Sequence, residues 1–219
     1  MSKLTLQQLD DGIDAALANS SSLIAEAKLL LQSGFQARAY TLSHIAREEI
    51  AKTTMLYTAG LRMLAEHSVD WSRLHKRLRD HKAKLTSDAL VAYVNAPEAS
   101  GTLPLEAMLF GTGVRNEWKN DSLYIAFKET AFRTPSEMIT PKKAERTIGL
   151  AILALEDAKH YLSISGKLTQ RSPEEVKKTF AHIKPGKVNP DETLARVKHL
   201  ARVIRVAKEA RRDKQDPVV

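Results

Sequence analysis

Glu49 stands in the run Ala39-Tyr-Thr-Leu-Ser-His-Ile-Ala-Arg-Glu-Glu-Ile-Ala-Lys52, which reads as the middle of a helix. At about 100° per residue, Phe35, Leu42, Ala46, Thr53, Leu56, Gly60 and Leu64 share one apolar stripe, and Glu49 falls among them. Its neighbour Glu48 points away from that stripe and has Lys52 four residues on, a surface pair worth about 0.3–0.5 kcal/mol. A carboxylate taken out of water is costly unless it is paired or protonated, so Glu49 requires a partner from another segment. The candidates are Arg115 and Lys119, one helical turn apart and able to hold an anion, and His81, flanked by Lys82 and Lys84 at the edge of an apolar face. An acid, an imidazole and two cations can move protons next to a negatively charged group. They can equally form a buried hydrogen-bonded network that fixes helix register, and both readings stand at this point.

The elements that would position these residues are helical. Ala and Leu are plentiful, Gly and Pro are few, and apolar residues recur with helical spacing outside one short region. A first helix is expected from about Thr5 to Gln32, with an interruption near Asn19-Ser-Ser-Ser22 and a stop at Ser33-Gly34. A second runs from Phe35 to about Glu66. Ser68-Val-Asp70 caps a third, in which Trp71, Leu74, Leu78, Leu85 and Ala89 share a face. After a loop from Asn95 to Pro104, a fourth helix covers Leu105 to about Lys119, and Asp121 to Phe127 reads as extended. Pro141 suits the first turn of a fifth helix reaching Lys167, with Ala144, Ile148, Ala151, Leu155 and Leu162 inward. Ser172-Pro173 opens a short sixth helix ending near His182. A linker at 184–190 then precedes a basic helix from Asp191 to about Arg212, whose Leu194, Val197, Leu200, Ala201, Ile204 and Ala207 or Lys208 form a stripe that needs a surface.

The fold class is therefore all-α, an antiparallel helical bundle over residues 1–168 followed by a basic helical extension over 169–219. The 219 residues can bury a generous core without staples, and the absence of cysteine excludes disulfides, thiolate chemistry and Cys-based zinc sites. No signal core and no membrane-length apolar run is present, so the expectation is a cytoplasmic protein without membrane contact. Of the net charge of +8, +6 lies from Arg171 onward. A basic tail on a nearly neutral body suggests a polyanionic partner such as RNA, DNA or the ribosome, with Lys82, Lys84, Arg196, Arg202 and Arg205 as contacts. A solvated helix with a positive bias has the same composition.

Three segments resemble the AbiV-type abortive-infection branch of the HEPN superfamily. Ala39 to Lys52 is similar to that family's small-residue helix ending in Glu-Glu-x-x-Lys, here Glu48, Glu49 and Lys52. Asp80-His-Lys-Ala-Lys-Leu85 resembles the His-Lys-x-Lys segment that follows. Arg115-Asn-Glu-Trp-Lys-Asn-Asp-Ser-Leu-Tyr-Ile-Ala-Phe127, with Pro135 downstream, resembles its Lys-x-x-x-Leu-Tyr-Val pattern. The resemblance covers about residues 20–165 and implies antiphage defence, a homodimer, an RNA or ribosomal target, and a phage-encoded activator as a further expected partner. Members of the superfamily often cleave RNA without metal through an Arg followed about four to six residues later by His. Arg115-Asn116 has that opening, but Asn120 and Asp121 stand where the His belongs. Arg38 to His44 and Arg62 to His67 have permitted spacing without the polar residue after the Arg, and read as accidental.

Cleavage would need a base for the ribose 2′-hydroxyl, cations for the phosphorane and an acid for the leaving oxygen. Arg115 and Lys119 can serve as the cations and His81 is the best-placed base by sequence; with Asn116 and Glu49 they are the catalytic candidates. The other reading is a non-catalytic helical dimer that binds nucleic acid or a protein partner as a toxin or regulator. No cofactor or metal is expected. A di-iron bundle needs Glu-x-x-His on two helices, and Asp157-Ala-Lys-His160 is the one acidic-x-x-His, pointing off the Leu155 stripe.

Overall fold

Thr5 begins the first helix by accepting a hydrogen bond from the Gln8 backbone N–H at 3.1 Å, while Gln8 Oε1 accepts the Thr5 N–H at 2.9 Å. This reciprocal cap starts α1 (Leu6–Gln32) in a computed structural model that describes residues 2–95 and 105–180. The linker at 184–190, the basic helix expected from Asp191, and Arg196, Arg202 and Arg205 lie outside the described residues. So do residues 96–104 of the expected loop, whose first residue, Asn95, closes α4 (His81–Asn95).

α1 is continuous through Asn19-Ser-Ser-Ser22, where the sequence suggests a break. Ser20 Oγ donates to Ala16 O at 2.6 Å, and its small side chain lets α1 approach the Ala46 carbonyl of the next helix at 3.3 Å. The serines therefore serve close packing. Gly34, at φ +81°, makes the left-handed turn into α2 (Gln36–Leu64), which packs along α1 over most of its length.

α2 is the central helix. α1 and α7 (Pro141–Ser165) cover one side of it, and α4 (His81–Asn95) lies on another, with α5 (Leu105–Asp121) against α4. Its small residues Ala37, Ala39, Ser43, Ala46, Ala51, Ala59 and Gly60 are all buried, which allows neighbours close approach from several directions. The expected third helix is two, α3 (Trp71–Arg79) and α4. Asp80 stands between them in an extended conformation, and its carboxylate accepts the Ala83 N–H at 3.0 Å. This local cap outcompetes helix continuation.

Asp121 to Phe127 is only partly extended. α5 continues to Asp121, and the strands β1 (Ala126–Lys128) and β2 (Ala131–Arg133) form an antiparallel hairpin that pairs Phe127 with Phe132. A one-turn helix, α6 (Pro135–Met138), leads into α7, whose Pro141 occupies the first turn and whose Ala144, Ile148, Ala151 and Leu155 are buried. A 3-10 turn (Leu168–Gln170) and α8 (Pro173–Phe180) follow. The described residues are all-α apart from the hairpin, and none of their helices is long and apolar enough to cross a membrane.

Leu168 and Val176 complete the core at one end of the bundle, against Leu9, Ile13, Leu56, Leu64 and Leu74. The buried Asp10 carboxylate ties this segment down by accepting the backbone N–H groups of Leu168 and Thr169, both at 3.0 Å. Gly60 is required here, because a Cβ at that position would lie 2.3 Å from the fully buried Leu168 Cδ1. Gly60→Ala is expected to destabilise the fold by about 1–3 kcal/mol through this clash. A urea midpoint equal to that of the unmodified chain would contradict it.

Candidate active site

Thr41, His44 and Glu48 of α2 are buried where that helix meets α4 and α5, and Glu48 is only 1% exposed. Its Oε2 accepts from His81 Nδ1 at 2.6 Å and lies 2.8 Å from Lys84 Nζ. Oε1 faces Lys119 Nζ at 3.8 Å and His44 Nε2 at 3.4 Å. The His44 contact is close but not aligned as a hydrogen bond, and neither ring nitrogen of His44 has a hydrogen-bond partner. Four side chains from three helices converge on one carboxylate. His44 stands one turn before Glu48 on α2, the Asp80 break brings His81 and Lys84 in at the start of α4, and Lys119 comes from the last turn of α5.

Burial alone would raise the Glu48 carboxyl pKa, but the contacts with His44, Lys84 and His81 outweigh it and hold the group at about 2. Glu48 is therefore ionised and can only accept hydrogen bonds. His81 Nδ1 must then be the protonated nitrogen, which leaves Nε2 as the atom that can take or give a proton. Burial lowers the pKa of His44 and keeps it neutral, Glu48 opposing this and Arg47 and Lys119 reinforcing it. A second buried pair, Arg47 Nη2 with Asp88 Oδ2, links α2 to α4 beside this cluster.

His81 is 56% exposed at its side chain and lines an open cleft of about 680 Å³, together with Arg79, Lys82, Asn116, Lys119 and Tyr124. Asp80 is the single carboxylate among the cleft-lining residues. Lys119 is the loosest partner of Glu48 and, although only 8% exposed, lines the cleft beside His81, so its charge acts on an anion there. The arrangement can present a tautomerically fixed imidazole and several cations to a phosphate.

The structure corrects the sequence reading at its starting point, since the enclosed carboxylate is Glu48 and not Glu49. Glu49 Oε1 is bonded to Lys52 Nζ at 2.5 Å, with side-chain exposures of 16% and 26%, so Lys52 pairs with Glu49 rather than with Glu48. A single-stripe analysis assumes one buried face, whereas α2 is covered on several. Among the expected catalytic residues, His81, Asn116 and Lys119 meet at the cleft, and Glu49 does not. Arg115 is half-buried and turned inward, where burial lowers its pKa, Arg47 lowers it further, and Asp88 and Tyr40 oppose this. Lys82 lines the cleft, but Lys84, expected as a nucleic-acid contact, is 5% exposed and bound to Glu48. Sequence reasoning passed over His44, Arg47 and Asp88. The available signal was the spacing His44-x-x-Arg47-Glu48, three ionisable residues within two turns of an Ala- and Thr-rich helix.

No curated protein and no solved structure matches the chain. The HEPN family model described as AbiV matches residues 8–156, a span running from α1 into α7 that contains Glu48, His81, Lys84 and Lys119. The chain belongs to the AbiV family of HEPN proteins.

Proposed function

We propose that this AbiV protein acts in abortive infection against phage by cleaving RNA without metal in the α2/α4/α5 cleft. The observation carrying this reading is the Glu48–His81 pair, a buried anionic acceptor on Nδ1 that leaves Nε2 of an exposed imidazole basic toward the cleft. In the proposed reaction Nε2 removes the ribose 2′-hydroxyl proton, and the 2′-oxygen attacks the adjacent phosphorus. Lys119 balances the phosphorane charge while Lys82 and Arg79 hold flanking phosphates, and the 5′-oxygen departs with a proton from water or the newly formed imidazolium. The products are a 2′,3′-cyclic phosphate and a 5′-hydroxyl.

Purified protein incubated with tRNA and total cellular RNA in the presence of a chelator should generate such ends. Cleavage that requires added divalent metal, or none at all, would reject the catalytic reading. A second reading, a dimer that binds nucleic acid without cutting it, is favoured by Arg115 turning inward and Asn120 lining the cleft where the superfamily pattern would have a histidine. Salt-dependent RNA binding with no cyclic ends would select it.

A further inference from the structure

The residues lining the cleft fall into two sets of different chemistry. Arg79, His81 and Lys82 bring charge and an imidazole from the end of α3 and the start of α4. Asn116 and Asn120 of α5, with Leu123 and Tyr124 from the turn that follows it, bring two carboxamides, an alkyl group and a phenol ring. The first set suits phosphate. The second suits a flat, uncharged group with hydrogen-bonding edges, and in a nucleotide that group is the base.

We propose that Tyr124, Asn116 and Asn120 form a nucleobase subsite, which takes an unpaired base of an RNA strand whose phosphates lie on the cationic set. Tyr124 is 66% exposed, yet the turn that carries it is anchored. The backbone N–H groups of Leu123 and Tyr124 both donate to Asn120 O at 3.0 Å. Between Asn120 and Tyr124, the fully buried Ser122 donates to Lys119 O at 2.6 Å and lies 2.7 Å from Thr41 Oγ1 of α2. The backbone that presents the ring is thus fixed before a ligand arrives, which lowers the ordering cost of stacking. Asn116 and Asn120 stand one helical turn apart, and among the described residues neither carboxamide has a hydrogen-bond partner. Each offers a donor and an acceptor, the complement of a base edge. A base inside a duplex has its faces stacked and its pairing edge occupied, so the subsite selects RNA that is single-stranded at the cleft. This inference rests on the RNA reading of the cleft and adds the base to it.

The test compares two short strands of equal length in binding to the full-length protein. One carries bases on 2′-O-methyl ribose, which has no hydroxyl for attack and so reports binding alone, and the other is its abasic counterpart with the same phosphates. The base-bearing strand should bind about tenfold tighter. Tyr124→Ala should bring the two within about twofold by weakening only the base-bearing strand, and Tyr124→Phe should keep the gap. Asn116→Ala combined with Asn120→Ala should narrow it by about threefold or more. Phe132→Ala, which removes a ring that is 76% exposed but does not line the cleft, should leave it unchanged. Equal binding of the two strands by the unmodified protein, a gap that survives Tyr124→Ala, or one that closes as far in Phe132→Ala would overturn the base subsite and leave RNA binding in place. Binding of neither strand would overturn the RNA reading itself, and the subsite with it.

Discussion

Glu48→Ala is expected to cost about 3–5 kcal/mol of unfolding free energy, because it strands the buried Lys84 and Lys119 without their shared acceptor. Glu49→Ala, one residue away, is expected to cost less than about 1 kcal/mol, since its partner Lys52 reaches solvent. Denaturant melts of the two variants separate these outcomes, and equal losses would contradict the assignment of the buried carboxylate. Acid provides an independent check. Glu48 has a pKa depressed from 4.5 to about 2, so its contribution is fully present above about pH 4.5 and is lost as pH falls toward 2. That contribution is about 3 kcal/mol. His44 adds a loss at milder acidity. Its pKa is lowered in the fold, so below about pH 6.5 the unfolded chain takes up a proton that the folded chain resists. In Glu48→Gln the limb between pH 4.5 and 2 should flatten while the His44 limb moves, because the buried imidazole has lost the one group that favoured its charge.

Much of the scaffold was legible from periodicity and punctuation. The ends of α1 and α7 follow from Thr5, Gly34, Pro141 and Gly166, which act through local backbone chemistry that a sequence carries directly. The break at Asp80 did not announce itself, because Leu74, Leu78 and Leu85 keep helical spacing across it and only the aspartate's side-chain bond to Ala83 reveals the cap. The site was half legible. His81, Asn116 and Lys119 could be named from residue type, and the need for a carboxylate partner was clear, but which glutamate supplied it depended on how many helices surround α2. A stripe defined by its oiliest residues marks the face against α1 and the 3-10 turn. The face toward α4 and α5 is lined by Thr41, His44 and Glu48 and looks solvent-directed until the neighbours that bury it are known. The choice between Glu48 and Glu49 is thus a tertiary fact, fixed by Lys84 and Lys119 arriving from elements 36 and 71 residues away.

His81→Ala is expected to reduce the rate of cyclic-phosphate formation by at least about 10²-fold, the scale of losing a positioned base. The fold should survive, because the ring is more than half exposed and Lys84 continues to balance Glu48. His81→Asn sharpens the test, since its amide can still donate to Glu48 but has no basic nitrogen. It should match the alanine variant in rate and the unmodified chain in melting. Glu48→Gln should preserve the shape of the site but remove the anion that enforces Nδ1 protonation, so activity should drop while RNA affinity holds. Lys82→Ala and Arg79→Ala act differently. Each removes a cation from the cleft wall, which should weaken RNA binding and reduce its salt dependence without altering the single-turnover rate at saturation. A His81→Ala protein that cleaves at the full rate would remove the imidazole from the mechanism and leave the cleft as a binding surface.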